Sequence, residues 1–353
     1  MDLLAENAVN GKTSRVLYFD ILNISACISV LFLHCNVMVH TWTPGKNWIL
    51  ALIIETLFFF AVPIFFMLTG ATLMAYRERY DTATFFRKRV SRIALPFLVW
   101  AIIVFGIHNI LSGKWQDINA WNPIRFIVGT LNNEFEAIYW FFFPLFAIYL
   151  ALPVLSLLKN QRKILVYAAS VAFFLEYCLP VIFKMCGINW NSSFNMPVLG
   201  GFLFYPVLGY LLATTNFLRR ERIMLYFVAV ICVCLKIGYT LYFSAILQDV
   251  ERTFFDYKIF ATAIPAAAIF VWCKNADFSC LAKYQKIIAK ISACSFGIYL
   301  IHNLILSGFI FRFLGIPTTS LTLRTIGPIG LYLCCMCIVL ILKKIPVLRK
   351  IVP

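Results

Sequence analysis

An all-α, polytopic membrane bundle of about ten transmembrane helices is the fold class the sequence predicts, and three observations predict it. Hydrophobic residues make up 62% of the 353-residue chain and charged residues only 13%, with a mean hydropathy of +0.87, whereas soluble domains are about one-quarter charged. Apolar runs recur between short polar breaks, each near the ~20 residues that a helix needs to cross a bilayer core. Basic residues cluster in alternate loops, as they do where loops are held on the cytoplasmic side.

In chain order the spans fall at roughly 16–38, 48–75, 93–112, 137–158, 164–184, 196–213, 223–245, 257–273, 290–312 and 325–343. The second is long and the sixth short for one crossing. With the N-terminus inside, 22 of the 31 Lys and Arg residues fall on the inner side, while Lys46, Lys114, Arg125 and Arg252 lie in outer loops. Both termini are therefore expected in the cytoplasm, in a multi-pass protein of an inner or plasma membrane. The net charge of +16 is mostly topology and calls for no nucleic-acid partner.

Residues 1–353 read as one membrane domain, with residues 1–14 a short N-terminal tail and 344–353 a C-terminal tail. The opening MDLLAENAVN has two acids and no base, so the first span is expected to stay rather than leave as a signal peptide. Most of the twelve cysteines lie in apolar runs, where Cys behaves as a small hydrophobe. Neither a metal centre nor a disulfide framework is expected. Homo-oligomerisation is left open.

The first span carries the chemistry-bearing pattern. Asp20, Asn23 and His34 sit in an otherwise apolar run, and at 100° per residue all three share one stripe. Asp20 and His34 are roughly 21 Å apart along the axis, so they mark two depths rather than a dyad. A histidine here either packs against a neighbouring carbonyl or acts as a base, since neutral imidazole can take a proton from a hydroxyl near pH 7.

Elsewhere, Arg87, Lys88, Arg89 and Arg92 stand where the third span begins. Guanidinium groups at a membrane mouth suit a phosphate-bearing ligand, although positive-inside topology accounts for such a run as well. In SFGIYLIHN, residues 295–303, Ser295, Tyr299 and His302 follow i, i+4, i+7 spacing on one face. Glu55 and Glu176 are the intramembrane acids, with no partner legible for Glu55. Six tryptophans, Trp42, Trp48, Trp115, Trp121, Trp140 and Trp190, fall towards the outer side, as a sugar-binding aromatic surface or an interfacial belt would place them.

Taken together, these segments resemble the acyltransferase family 3 membrane proteins, which O-acylate sugars of surface glycans and some small molecules. The resemblance rests on Asp20 and His34 at the family's first-span positions and on VPIFFMLTG at 62–70. It rests equally on RKRVSRIALPFLVW at 87–100, YWFFFPLFAIYLALPVL at 139–155 and SFGIYLIHN at 295–303. One position departs, because Asn23 stands where the family usually has arginine; Arg15 is a candidate substitute. Unlike in some relatives, no soluble hydrolase-like domain is expected after the last span.

The resemblance implies transfer of an acyl group, acetyl most often, from cytoplasmic acyl-coenzyme A to a hydroxyl of a surface or lipid-linked glycan. It implies a coenzyme A site at Arg87, Lys88, Arg89 and Arg92, and catalysis by His34, as base or acyl carrier, with Asp20. Asn23, Glu55, Trp140, Tyr299 and His302 would line the cavity or meet substrate. The alternative class is a multi-span exporter or flippase of a glycan or lipid-linked intermediate, which adds no mass to its cargo; a sensor or scaffold without turnover is the third.

Overall fold

The computed structural model describes residues 16–191, 193–194, 196 and 198–353; the N-terminal tail and Arg15 lie outside them. Every regular element among the described residues is helical. The longer helices are α1 (Leu17–Cys35), α2 (Lys46–Phe58), α3 (Ala61–Leu73), α4 (Thr82–Arg89), α5 (Leu95–Leu111), α6 (Pro123–Leu131), α7 (Phe142–Leu155), α8 (Arg162–Ala172) and α9 (Leu179–Met185). After them come α10 (Phe204–Thr214), α11 (Arg219–Leu247), α12 (Phe260–Asn275), α13 (Gln285–Ser292), α14 (Ser295–Asn303), α15 (Leu321–Thr325) and α16 (Gly327–Lys344).

Among the described residues, eight stretches are long and apolar enough to cross a membrane, and several are built from two helices in line. Lys46–Glu78 joins α2 to α3 through a break at Phe59 and Phe60, and Thr82–Leu111 joins α4 to α5 through a π-helical turn, Val90–Ala94. The two other segments expected to span, around 196–213 and 257–273, form the shorter apolar helices Gly201–Thr214 and Phe260–Asn275. Tertiary packing explains the shortness. Eight of the eleven α10 residues are buried, so this helix is surrounded by protein and need not match the hydrocarbon thickness.

The closest crossing in the bundle is that of α10 on α3. A Cβ on Gly70 would stand 1.8 Å from the Pro206 carbonyl oxygen, and one on Gly209 would stand 2.1 Å from that of Met67. Small residues let two helix backbones touch where lipid offers no hydrophobic drive to bring them together. Gly70 closes the VPIFFMLTG segment, so its place in that pattern has a steric cause.

Hydrogen bonds define two ends. At the basic end, Arg77 donates to Ser156 Oγ and the Pro153 carbonyl, Arg79 to the Thr72 carbonyl, and Lys159 pairs with Glu78. Arg162 reaches Thr214 and Thr215, and Lys274 donates to the carbonyls of Leu212, Ala213 and Thr215. At the far end, Arg252 donates to the His40 carbonyl, Arg312 to that of Leu111, and the fully buried Arg324 to those of Asn47, Thr319 and Ser320. At Leu111, Leu212 and Ala213 the cation meets one of the last carbonyls of a helix, which lack a partner in their own helix.

Candidate active site

The first span delivers its polar residues to three different neighbours. Asp20 is 4% exposed in the first turn of α1. One turn further, Asn23 donates from Nδ2 to both the carbonyl and the Oγ of Ser292, each at 2.9 Å, which ties α1 to α13. Where the family usually has arginine, this chain thus has an amide used as a helix-to-helix strap. Asn36, just past α1, donates to the Ala51 carbonyl at 2.8 Å and to Glu55 Oε2 at 3.1 Å.

Glu55 therefore meets an amide first. Lys236 is the nearby cation: its ammonium is buried, has no hydrogen-bond partner among the described residues, and lies 3.6 Å above the Phe59 ring centroid. Glu55 and Asp256 are the carboxylates whose charges act on it. This network lies off the histidine stripe, because Asn36 is about 200° around the helix from His34.

His34 and His302 come together. Their ring centroids are 5.1 Å apart with the planes tilted by 43°. His34 is half-buried and makes no hydrogen bond among the described residues. His302 is fully buried, and its Nδ1 faces the carbonyls of Tyr299 at 2.8 Å and Ile298 at 3.2 Å. A carbonyl only accepts, so Nδ1 carries the proton and Nε2 keeps a lone pair. That Nε2 is buried with no partner.

Three bonds hold α14 so that His302 keeps this position. Tyr139 donates to the Leu300 carbonyl at 3.1 Å, Tyr299 donates to the Ile138 carbonyl, and Asn303 donates to Glu136 Oε1 at 2.7 Å. Tyr299 thus bonds to the chain itself through its hydroxyl. Trp140 stacks on Tyr257 with centroids 5.5 Å apart, and Tyr257 stacks in turn on Phe59 at 4.4 Å. Half-buried Trp140 thus joins an aromatic column with Tyr257 and Phe59, whereas Trp48 is fully buried.

The four cations at the mouth separate. Arg87 and Arg92 are exposed, and the Lys88 ammonium lies 3.9 Å over the Tyr80 ring. Arg89 turns inward, its guanidinium carbon 5.7 Å from both the Phe85 and Tyr149 ring centroids, and its Nε is buried without a hydrogen bond. Regular α-geometry would put Arg92 about 300° round from Arg89, but Arg92 lies inside the Val90–Ala94 π-turn, which changes the register.

A coenzyme A phosphate is an anion, and an inward guanidinium with an unused Nε–H is the kind of group that would receive it. Arg89 passes that fit on its orphaned donor; Arg77 and Arg79, already bonded to the chain, do not.

The profile of the acyltransferase 3 family, described as an acyltransferase domain, matches residues 16–343. The chain belongs to the acyltransferase 3 family. No curated protein and no solved structure matches it. In this membrane acyltransferase the matched stretch takes in α1 with His34, the Arg89 mouth, and α14 with His302.

Sequence reasoning had both histidines but not their pairing. It missed Asn36, Glu136 and Asn303 as working residues, although Asn36 follows His34 by two positions and Asn303 follows His302 directly. Two cavities, of about 310 and 340 Å³, lie elsewhere and are lined by neither histidine. The histidine pair, unlike those cavities, presents ring nitrogens with no hydrogen bond among the described residues.

Proposed function

We propose that this membrane acyltransferase moves an acyl group, acetyl in the simplest case, from acyl-coenzyme A at the basic end to a hydroxyl of a glycan reached from the far end. The basic end faces the cytoplasm in this reading, as the distribution of Lys and Arg expects. The observation that carries it is the histidine pair: one ring unbonded and half-buried, the other locked with its free Nε2 in the same place.

His34 takes the proton of the acceptor hydroxyl as its oxygen bonds to the acyl carbon and the bond to sulfur breaks; the thiolate leaves with that proton. The thioester supplies the activated acyl group. His302, unable to turn because Nδ1–H is held by two carbonyls, offers Nε2 as an acceptor that orients His34 or stabilises it when protonated, in the manner of a base held by a third group. Arg89 receives the donor's phosphates. Asp20, in the first turn of α1, is a positioning residue on the donor side.

His34→Ala is expected to remove the acyl ester from cell-surface glycans, with a rate loss of roughly 10²–10⁴-fold, while acyl-coenzyme A binding in detergent persists. Mass spectrometry of glycans from cells with and without the chain reads this directly. An unchanged ester content in the variant would overturn the assignment, and a chain that relocates a glycan without adding an acyl group would favour the exporter.

A further inference from the structure

A second polar site lies at the far end, where the turn between α11 and α12 faces α9 and the chain before it. This cavity, of about 340 Å³, is lined by Glu176, Lys184, Trp190, Arg252, Asp256 and Lys258, among others. Its volume lies in the range of small-molecule sites. Five charged groups and an indole line the cavity, and four of those groups, Lys184, Arg252, Asp256 and Lys258, are exposed.

The charges do not neutralise one another. No ion pair joins these cations to Glu176 or Asp256 among the described residues, where the salt bridge found is that of Lys159 with Glu78. The carboxylates are spoken for by backbone. Glu176, raised on the Phe173–Cys178 π-helix, accepts from the Met196 N–H at 2.8 Å and the Gly201 N–H at 2.5 Å. Asp256 accepts from the Lys258 N–H at 2.8 Å.

Arg252 spends one nitrogen on the His40 carbonyl at 3.0 Å. Lys184 and Lys258 are exposed and have no hydrogen bond from their ammonium groups among the described residues. The chain at Gly200 packs closely on Glu176, because a Cβ there would stand 2.6 Å from Glu176 Oε1 and 2.5 Å from the Met196 carbonyl oxygen.

A series of ring contacts runs through the core from the cavity wall to the histidine pair. The wall residue Phe255 lies 6.3 Å from Phe59, which stacks on Tyr257; Tyr257 stacks on Trp140, and Trp140 neighbours Phe141, itself 5.4 Å from Tyr299. Tyr299 is 5.6 Å from His302. These rings pack on one another in the interior, and of the aromatics among the described residues only Trp190 and Phe255 line the cavity, where they can receive the apolar C–H face of a sugar.

We propose that this cavity is the acceptor subsite and that it selects a sugar residue bearing an anionic group, which Lys184 and Lys258 receive while Trp190 and Phe255 cover the ring. Remaining lone pairs on Glu176 and Asp256 accept from sugar hydroxyls. The assignment of the cavity to an acceptor rests on the acyl-transfer reading above; its preference for anionic saccharides does not.

Titration calorimetry of the full chain in detergent tests it with trigalacturonate, its carboxyl-methylated neutral ester and galactose 1-phosphate. Trigalacturonate is expected to bind about tenfold more tightly than the ester, less so as salt is raised. The preference is expected to vanish in Lys184→Gln/Lys258→Gln and to survive in Lys283→Gln/Lys286→Gln at the basic end. The sugar phosphate distinguishes a phosphate-bearing residue from a uronate as the source of the anion.

Equal binding of acid and ester, absence of binding by either anion, or a preference untouched by the Lys184 and Lys258 changes would overturn the proposal. Charge-selective binding in a chain that adds no acyl group to glycans would leave the anionic saccharide site standing and sink the acyl-transfer reading instead.

Discussion

The collar of cations at the basic end and the cavity at the far end use the same residue types differently. In the collar, Arg77, Arg79, Arg162 and Lys274 are bonded to carbonyls and hydroxyls of the fold itself, and Lys159 is paired with Glu78. In the cavity, Lys184 and Lys258 have no such partner among the described residues. A positive charge in a membrane-protein loop is thus a topological signal first; whether its N–H groups are already engaged decides whether it is also free to bind. Arg89 departs from those five cations of the collar, since its Nε is buried and unbonded, as is that of Arg222.

That contrast can be broken by experiment. The largest effect is expected at Arg89: Arg89→Ala should raise the KM for acyl-coenzyme A about tenfold, the loss of one charge-assisted phosphate contact, with the melting temperature little changed. Arg92→Ala, exposed and in the π-turn, should move KM less. Equal effects from the two would return both to topology.

Lys274→Ala should do the reverse. Losing three carbonyl contacts is expected to cost roughly 2 kcal/mol, read as a lower melting temperature in detergent with KM for the donor unchanged. A KM change without a stability change would place Lys274 among ligand groups and dissolve the comparison.

The smallest effect is a pH dependence at the far end. Desolvation of the His40 ring, and after it the charge of Arg252, holds its imidazole below the ordinary 6.5. The unfolded chain then takes up the proton first as pH falls. Stability from this group is therefore full above about 6.5 and is lost below it. Melting curves across that window should fall less steeply towards acid in His40→Gln than in the parent; parallel curves would remove His40 from the account.

Much of the fold was legible because burial in lipid leaves a strong mark on composition. Eight of ten expected crossings are long apolar helices, and the two that are shorter, Gly201–Thr214 and Phe260–Asn275, differ for a reason absent from local hydropathy. Apolar surroundings of protein and of lipid look alike in a sequence, and only packing around α10 separates them. The site was half legible. His34 and His302 stand out as rare polar residues in apolar helices, and Arg89 sits in a basic run, yet nothing local sets Arg89 apart from Arg92, because the Val90–Ala94 π-turn that exposes Arg92 has no signature in VSRIA.

The sequence by itself determined that this chain is a membrane helix bundle, placed polar residues at two depths of the first span, and carried the pattern of its family. Those are properties of periodicity and composition, which each helix expresses alone. Tertiary structure decided that His34 meets His302, that Asn23 is spent on Ser292, that Glu55 meets Asn36 before any cation, and that Arg89 turns inward. Pairings between segments far apart in the chain depend on helix rotation and crossing, and these follow from close contacts such as Gly70 on Pro206, which no single helix encodes.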